Sequence, residues 1–342
     1  MSDAPVRVGF VGCGRQASAS WYPNFATIPE LDLLACCDLQ AELAERNARF
    51  FGARRWYTNL SDMIEKEDLD AVMVVGPPDM HFECGKQVLA AGLPLMMEKP
   101  PARLTAHARE LADMAEGRGL ITQIGHNMRH APGVQKFREL MATPEFGKLL
   151  FLESRYFMPS PMWQEDMDYR AGWQYMIFQS THAVDLARFL GGEIERVYAD
   201  LSVGEGGRFA IACTAHFDSG ATGMITLTGC TPNWTCKIEA AGDARAHLRL
   251  VNLHTLDFEP HSPEGGYQPS PGIPSQSYSP AVRDNAEKRG GYWGQMQAFA
   301  RAVQKGASDS PTLRDACQAM VVCEAICDSI ERKALELPRF SG

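Results

Sequence analysis

One short motif near the start of the chain limits the possible folds more than any other feature. An apolar run, residues 6–11, leads directly into Gly12, Gly14 and Ala17, which are spaced as Gly-x-Gly-x-x-Ala. Asp38 stands at the end of the next apolar run. A strand, a glycine turn, a helix, a second strand and an acid in this order are typical of a Rossmann fold that binds a dinucleotide. The motif therefore predicts a doubly wound parallel sheet at the start of the chain.

The small residues of this motif have separate roles in a dinucleotide-binding turn. Gly12 permits the tight turn, Gly14 lets a pyrophosphate come close to the backbone, and Ala17 lets the helix pack closely against the strand. The helix N-terminus that follows, at Arg15 and Gln16, offers unpaired N–H groups to the phosphates. We therefore expect these residues to bind the pyrophosphate of a dinucleotide cofactor.

Asp38 predicts which dinucleotide binds. Its carboxylate would accept hydrogen bonds from the adenosine ribose hydroxyls, and its charge would repel a 2′-phosphate. The next two residues, Leu39 and Gln40, carry no positive charge that would compensate. NAD is therefore the expected cofactor, with NADP disfavoured.

Composition places the chain among globular proteins and excludes several partners. With 342 residues it is long enough for two domains, and 45% hydrophobic with 22% charged residues is ordinary for a soluble protein. The net charge of −9 and the lack of a basic cluster argue against a nucleic-acid partner. No apolar run approaches membrane-spanning length, and the first residues lead into a strand without a signal segment. We expect a cytoplasmic protein that does not contact membranes.

The ten cysteines form no Cys-x-x-Cys pair, and most of them stand within apolar stretches. This pattern favours buried free thiols in a reducing compartment over disulfides or a zinc site. We therefore expect no metal in this protein.

Alternating apolar and helical stretches predict a Rossmann domain over residues 1–126. Such alternation is typical of a parallel, doubly wound sheet. The predicted strands cover residues 6–11, 31–37, 71–75, 93–97 and 120–124, and the predicted helices cover residues 41–51, 60–67, 81–91 and 106–118.

The remainder, residues 127–342, is predicted to be an α+β domain for substrate binding and oligomerisation. Consecutive strands with short turns indicate a large, mostly antiparallel open sheet, with a helix over residues 175–190 covering one face. The C-terminal helices would be able to pack back on the first domain. The predicted strands are 148–157, 194–203, 208–217, 221–228, 235–241 and 246–251, followed by a loop at 261–280 and helices at 292–304 and 311–334.

Further segments resemble one known family along essentially the whole chain. Residues 74–81 resemble its strand-end segment with a proline and a following histidine, and residues 90–100 contain its Glu-Lys-Pro motif. Residues 125–132, 181–193 and 329–338 resemble its entry into the second domain, its helix with the catalytic histidine and its terminal helix. On these segments the chain resembles the Gfo/Idh/MocA family of NAD(P)-dependent oxidoreductases.

The resemblance implies that Lys99, in the Glu-Lys-Pro motif, meets the substrate hydroxyl next to the nicotinamide. Lys99 follows an apolar strand, and open α/β sheets place their ligands at the carboxyl ends of strands. Burial would lower its pKa into a range useful for proton transfer, so we interpret Lys99 as a general acid and base. The resemblance also implies that Pro77, His81 and Glu98 contribute to the cofactor site.

His182 and Asp185 are three residues apart on a predicted helix and therefore share a face. The resemblance implies that His182 contacts a substrate hydroxyl or relays a proton. For Asp185 a substrate-binding role and a structural role are both open. A buried histidine satisfied by its neighbour is the alternative. Where the family often has an aspartate, four residues before this histidine, the chain has Phe178, which cannot transfer a proton.

Aromatic and charged residues gather just before that helix. Such mixtures suit a sugar, because its apolar faces stack on rings and its hydroxyls take hydrogen bonds, although core packing is the alternative for the rings. For Arg129 two binding partners remain open: a substrate hydroxyl or carboxylate, and a structural carboxylate of the protein. The remaining predicted substrate-binding residues are Tyr156, Trp163, Arg170 and Trp173.

Three functions remain open at this point. The first is NAD-dependent oxidation of a secondary alcohol on a sugar, inositol or related polyol, or the reverse reduction. The second is a lyase or epimerase that oxidises and re-reduces one carbon transiently. The third is a non-catalytic NAD-binding sensor, which would not need the proton donor that Lys99 supplies.

One strand of the second domain predicts self-association. Thr222, Met224, Thr226 and Thr228 form a neutral row on one face, without the charges that usually keep a sheet face solvated. We expect a homodimer or homotetramer through this sheet. A monomer whose sheet face is covered by the 261–280 loop is the alternative.

Overall fold

The computed structural model describes residues 4–159, 172–261, 276–279, 286–307 and 311–338. The chain divides into two compact units. Unit 1 comprises Met1–Asn127 and Gly291–Gln318, and unit 2 comprises Met128–Gly290 and Ala319–Gly342.

Unit 1 contains a six-stranded parallel sheet, which confirms the predicted doubly wound fold. Its strands are β1 (Val6–Val11), β2 (Leu31–Cys37), β3 (Arg55–Tyr57), β4 (Ala71–Val74), β5 (Leu95–Met97) and β6 (Thr122–Ile124). They lie in the order β3-β2-β1-β4-β5-β6. The central strands β1 and β4 are almost entirely buried and apolar, as parallel strands with both faces covered must be. The strand order reverses between them, and such sheets bind ligands at that point, beyond the carboxyl ends of the strands.

The first helical segments of unit 1 are irregular. A π-helical turn, Ala17–Trp21, follows the glycine turn and passes into a 3₁₀ helix, Tyr22–Thr27, because Pro23 lacks the N–H that a regular helix would need. The regular helices are α1 (Ala41–Phe51), α2 (Leu60–Lys66), α3 (Pro78–Ala90) and α4 (Thr105–Gly117).

Unit 2 contains an eight-stranded sheet that is antiparallel except where β7 and β10 pair in parallel. This confirms the predicted mostly antiparallel sheet. Its strands are β7 (Leu149–Pro159), β8 (Ile194–Val203), β9 (Phe209–Phe217), β10 (Thr222–Thr228), β11 (Cys230–Gly242), β12 (Ala246–Val251), β13 (Thr255–Glu259) and β14 (Gln276–Tyr278), in the order β14-β13-β12-β11-β7-β10-β9-β8.

One face of this sheet is covered by a helix. Burial alternates along β9, which shows that only one face is packed against the core. The covering helix packs on β7, where the Ser154 Oγ donates to the Ala183 carbonyl at 2.8 Å. The helices of unit 2 before residue 290 are α5 (Pro132–Met141), α6 (Trp173–Tyr175), α7 (Thr181–Gly191) and α8 (Ala286–Arg289).

Two helices complete the described chain. Helix α9 (Tyr292–Lys305) belongs to unit 1, where its Gln295 carbonyl accepts a hydrogen bond from the Gln123 side chain at 2.6 Å. Helix α10 (Leu313–Arg332) begins in unit 1 and continues in unit 2, where Ser329 donates to a carbonyl and accepts from the Ala199 N–H at 2.9 Å.

The structure corrects several predicted elements. Strand β3 and helix α5 were not predicted, and strands β13 and β14 extend the sheet beyond its last predicted strand. Strand β14 lies inside the predicted 261–280 loop, most of which is outside the described residues. The helix predicted over 175–190 is interrupted by a π-helical turn, Met176–Ser180. Strand β3 has only three residues, which is too few for hydrophobic periodicity to reveal it.

Among the residues that the structure describes, no helix is long and apolar enough to cross a membrane. The same residues contain no group of three or more His, Cys, Asp or Glu side chains that could hold a metal ion. The cysteines are buried except for Cys84, which is half-buried, and Cys230, which is exposed.

Candidate active site

The turn after β1 requires glycine at its first position. Gly12 has a φ of 100°, and a Cβ on it would lie 1.9 Å from the Val75 carbonyl oxygen. Its N–H donates to the Cys37 carbonyl at 2.8 Å, which ties the turn to the end of β2. Gly14 faces open space, because a Cβ there would meet no atom within 4 Å. The backbone of the turn is therefore accessible to a ligand at Gly14.

Asp38 holds this turn as well as facing the predicted ribose position. Its Oδ2 accepts from the Cys13 N–H at 2.8 Å, and its Oδ1 accepts from the Gln40 N–H at 2.9 Å. A carboxylate has about four acceptor positions, so two remain for ribose hydroxyls. Asp38 therefore stabilises the glycine turn and is also a candidate for binding the ribose of the cofactor.

A cavity of about 530 Å³ opens beside Asp38. Its walls come from the segments that follow β1, β2, β3 and β4, and they include Gly12, Gln40, Asn59 and Pro77. The cavity lies at the carboxyl ends of the strands, where an adenosine would bind in a Rossmann fold. Pro77 precedes the first residue of α3, and its carbonyl accepts from the His81 N–H at 3.0 Å.

The two residues that follow Gly14 are both exposed. Arg15 lines a second cavity, of about 650 Å³, on the other side of the turn. The Gln16 side chain donates to the Tyr292 hydroxyl at 2.9 Å, which links the turn to the first residue of α9. No local sequence pattern predicted Tyr292, because the two residues are 276 positions apart.

Glu98 is a buried carboxyl group at the end of β5, with 6% of its surface exposed. Its Oε2 accepts from the Trp21 indole N–H at 3.2 Å. Burial raises the pKa of Glu98 to about 7, against the opposing effect of the Lys99 charge and of two hydrogen bonds. A Cβ on Gly125 would come within 2.8 Å of the same oxygen, so the carboxyl is closely enclosed.

Lys99 follows Glu98 and is half-buried. Burial lowers the pKa of Lys99 below its ordinary value, because desolvation disfavours the ammonium, while the charge of Glu98 acts in the opposite direction. A lysine in this state exchanges a proton more readily near neutral pH than a surface lysine does.

Both ring nitrogens of His81 are used within the protein. The Gly76 N–H donates to Nε2 at 2.9 Å, so the proton resides on Nδ1, which donates to the Pro100 carbonyl at 2.7 Å. Complete burial lowers the pKa of His81 to about 4, which keeps the ring neutral. His81 therefore joins the segment after β4 to the Glu-Lys-Pro segment, and it acts on a cofactor through those segments.

In unit 2, His182 lies at the second position of α7 with 6% of its surface exposed. The Tyr156 ring stacks on it at a centroid distance of 5.7 Å, and the Tyr156 hydroxyl donates to the Gln179 Oε1 at 3.5 Å. Phe178 and Gln179 are half-buried, whereas their neighbours in the π-helical turn are buried. Single π-helical turns are frequent at functional sites.

Arg129 and Asp185, both predicted to bind substrate, bind each other. Two nearly parallel hydrogen bonds of 2.8 and 2.6 Å join the guanidinium to the carboxylate. The two side chains are 4% and 2% exposed, and the Phe189 ring lies 5.0 Å from the guanidinium carbon. Arg129 therefore binds a structural carboxylate, which is one of the two alternatives that the sequence left open.

The other predicted substrate residues fall into two groups. Trp173 is 2% exposed in the core of unit 2, and Tyr156 is buried against His182. Trp163 and Arg170 lie outside the described residues.

Two family models match the chain. Residues 6–126 match the model of the Gfo/Idh/MocA oxidoreductase family with an NAD-binding Rossmann fold, and residues 134–246 match the model of the Gfo/Idh/MocA C-terminal domain. The chain belongs to the Gfo/Idh/MocA family. It is therefore an oxidoreductase with NAD as its cofactor.

Named relatives and solved structures resemble this chain over nearly its whole length. The levoglucosan dehydrogenase of Pseudarthrobacter phenanthrenivorans is 22% identical, with 98% of this chain and 97% of that protein covered. A dehydrogenase from Chromobacterium violaceum has the same fold, with a TM-score of 0.88 at 24% identity over 96% of both chains. A structure of levoglucosan dehydrogenase with NADH and levoglucosan has a TM-score of 0.84 at 19% identity, over 98% of this chain and 100% of that one.

The residues of unit 1 fit the NAD that this family binds. The positive φ of Gly12, the open space at Gly14 and the cavity beside Asp38 match the geometry that a Rossmann dinucleotide site needs, and a Cβ at position 12 would collide with the Val75 carbonyl. Motif spacing found these residues because a backbone turn demands them at fixed positions. It missed Trp21, Arg46 and Asn47, which contact the site from helical segments with no motif of their own.

Proposed function

We propose that this chain transfers a hydride between NAD and a secondary alcohol or ketone carbon of a sugar, inositol or related polyol. One observation carries the proposal: Lys99 is half-buried at the carboxyl end of β5 in the NAD-binding unit, with its pKa lowered by burial. The sugar class is supported by relatives named levoglucosan dehydrogenase and D-glucoside 3-dehydrogenase.

Lys99 is the proposed general base for oxidation and general acid for reduction. When bound, NAD would supply the hydride acceptor for the oxidation and the hydride donor for the reduction. In the oxidation, the neutral Lys99 amine accepts the hydroxyl proton as the carbonyl forms, and in the reduction the ammonium returns it. The lowered pKa increases the neutral fraction of Lys99 at neutral pH.

His182 is the proposed assistant to this proton transfer. The stacked Tyr156 fixes the plane of its ring, so the imidazole has a defined direction for contact with a substrate hydroxyl. Burial raises the pKa of Tyr156 to about 12, further above neutral pH than the ordinary value, so its hydroxyl remains a hydrogen-bond donor. The buried Arg129–Asp185 pair anchors the same helix from its interior side.

A panel of sugars, inositols and polyols incubated with NAD tests the proposal. Absorbance of the reduced nicotinamide should rise with at least one member of the panel, and the corresponding ketone should consume NADH. Tight NAD binding with no turnover of any sugar, polyol or ketone would instead indicate the non-catalytic sensor.

A redox-neutral lyase or epimerase is the second candidate, and Phe178 favours it. This apolar residue precedes His182 in the π-helical turn, where it supplies no carboxylate for a simple alcohol oxidation. Formation of a sugar product without net reduction of NAD would select this candidate over the dehydrogenase.

We also propose that copies of this chain associate through the open face of the unit 2 sheet. Thr222 and Met224 are exposed there, as are Phe151 on the neighbouring strand β7 and Tyr198 on β8. The face is not neutral across its width, because β7 carries Arg155 and Glu153 beside the β10 row, paired at 2.7 Å; in a symmetric contact such pairs would meet the same pairs of the second copy. Thr228 does not belong to this surface, because it is buried and donates to the Phe209 carbonyl at 2.5 Å.

A further inference from the structure

The peptide group between Cys13 and Gly14 lies at the centre of the glycine turn. It can adopt two orientations, which differ by a flip of the peptide plane. Glycine tolerates both signs of φ, so a flip of the peptide before it costs little backbone energy. A Cβ at position 14 would meet no atom within 4 Å, so Gly14 itself faces open space. The hydrogen bonds that this peptide makes then determine its orientation.

Three side chains hold the carbonyl of this peptide. The Cys13 carbonyl accepts from the Arg46 Nη2 at 3.1 Å, the Asn47 Nδ2 at 3.4 Å and the Ser18 Oγ at 3.4 Å. Arg46 also donates to the Asn47 Oδ1, at 3.1 Å from Nε and 3.0 Å from Nη2. Asn47 is 1% exposed and donates to the Ser18 Oγ at 3.0 Å, so its amide is fully engaged.

The preceding peptide is held separately. Its Cys13 N–H is bound by Asp38, as described above, and its Gly12 carbonyl accepts from the Tyr22 hydroxyl at 3.3 Å. Asp38 and the group of Arg46, Asn47 and Ser18 therefore act on different peptide planes. We refer to Arg46, Asn47 and Ser18 as the carbonyl clamp.

Fixing this carbonyl also fixes the Gly14 N–H. In a planar trans peptide the C=O and the N–H point in opposite directions. With the Cys13 carbonyl turned toward α1, the Gly14 N–H points away from α1, and within the described residues it donates no hydrogen bond. A flipped peptide would present a carbonyl oxygen in its place, which would repel a phosphate.

We propose that Arg46 and Asn47 are positioning residues for the cofactor: through the Cys13 carbonyl they hold the Gly14 N–H toward the pyrophosphate of NAD. Their effect on affinity follows from population, since an apparent dissociation constant rises as the binding-competent fraction falls. Arg46 contributes most, because its hydrogen bond to the carbonyl is charge-assisted and also orients Asn47. The proposal depends on NAD binding alone and holds whichever substrate the protein takes.

Arg46→Met is the main test. Methionine keeps an apolar side chain along the cavity that Arg46 lines, and it has no hydrogen-bond donor. Isothermal titration with NAD should give a dissociation constant about tenfold higher than for the unmodified protein. Titration with adenosine, which has no pyrophosphate, should give an unchanged value.

Arg49→Met is the matched control, because Arg49 is an exposed arginine on the same helix. It should leave both dissociation constants unchanged. Asn47→Asp, which keeps the shape and replaces the amide donor with an acceptor facing the Cys13 carbonyl, should weaken NAD binding at least as much as Arg46→Met. If Asn47→Asp does not fold, Arg46→Met still decides the question.

Three outcomes of Arg46→Met would overturn the proposal. An unchanged NAD affinity would show that the turn keeps its orientation without Arg46. Equal weakening of NAD and adenosine would show that Arg46 supports the whole site or the fold. Weaker binding of NADP alone would show that Arg46 contacts a 2′-phosphate.

Discussion

The candidate residues of unit 1 and those of unit 2 are held in different ways. In unit 1, the candidate side chains Asp38 and His81 bind the backbone: Asp38 holds the glycine turn, and His81 joins two segments through the Gly76 N–H and the Pro100 carbonyl. In unit 2, side chains bind one another, as Arg129 binds Asp185 and Tyr156 stacks on His182. Backbone geometry fixes the first kind of site at motif positions, whereas the second kind depends on pairings that no motif records.

The largest expected effect on stability comes from breaking the buried ion pair between Arg129 and Asp185 in unit 2. Arg129→Leu removes the guanidinium that binds the Asp185 carboxylate, which is 2% exposed, and removal of one partner of a buried pair typically costs about 3–5 kcal/mol. Denaturant unfolding should show this loss. The control Arg54→Leu breaks an ion pair whose arginine is 62% exposed, and it should change the unfolding free energy by under about 1 kcal/mol.

A loss in Arg129→Leu no larger than that of Arg54→Leu would contradict the structural role. A normal stability with a raised KM for the sugar would return Arg129 to the substrate site.

Two buried groups of unit 1 should have opposite effects on the pH dependence of stability. The folded-state pKa of His81 is lowered from 6.5 to about 4, so its contribution to stability is lost as pH falls from 6.5 to 4. The folded-state pKa of Glu98 is raised from 4.5 to about 7, so its contribution is lost as pH rises from 4.5 to 7. Each shift corresponds to up to about 3 kcal/mol, and over the shared pH range the two slopes oppose each other.

Unfolding free energies of Glu98→Gln and His81→Asn across pH 4 to 8 separate these contributions. Relative to the unmodified protein, Glu98→Gln should gain stability as pH rises from about 4.5 to 7. The loss caused by His81→Asn should shrink as pH falls from about 6.5 to 4. Parallel profiles for all three proteins would contradict the assigned protonation states.

Replacing Asp38 should have a moderate effect on cofactor affinity. Asp38→Ser removes the charged acceptor for the ribose hydroxyls and should weaken NAD binding about tenfold, while reducing the discrimination against NADP. Serine retains an oxygen near the Gln40 N–H, so the turn is disturbed less than by alanine. Asp32→Ser, which removes an exposed ion pair with Arg54 elsewhere on β2, is the control. Tighter binding of NADP than of NAD by the unmodified protein would refute the assigned preference.

The smallest expected effect on subunit stability concerns the open sheet face. Thr226 is half-buried and donates to the Glu153 Oε1 at 3.3 Å, so lysine there adds a charge to the proposed contact surface. Light scattering should show a mass well above 38 kDa for the unmodified protein and close to 37.7 kDa for Thr226→Lys. Thermal unfolding of the dissociated subunit should change by under about 0.5 kcal/mol. A monomeric unmodified protein would eliminate this interface.

Residues tied to a backbone turn could be predicted from the sequence, as Gly12 shows. Its φ of 100° and its contact with the Val75 carbonyl exclude other residues, so the spacing alone located the turn. Hydrophobic periodicity likewise predicted both sheets, because long buried strands carry an unmistakable pattern.

Contacts between distant side chains could not be predicted. Tyr292 meets Gln16 across 276 positions, and Asn47 meets the Cys13 carbonyl across 34. The partner of Arg129 was equally open, since an arginine pairs as well with a protein carboxylate as with a substrate group. The π-helical turn before His182 also had no local signal, because it depends on how Met176 and its neighbours pack.

Lys99→Ala, with kcat and the NAD dissociation constant measured on the same preparations, tests the central claim most directly. Loss of a general acid and base should lower kcat by about 10²–10⁴ and leave NAD binding nearly unchanged. His182→Ala should lower kcat less, and Lys66→Ala, at an exposed ion pair, should lower neither. An unchanged kcat with a raised KM in Lys99→Ala would contradict the account, because Lys99 would then only bind the substrate.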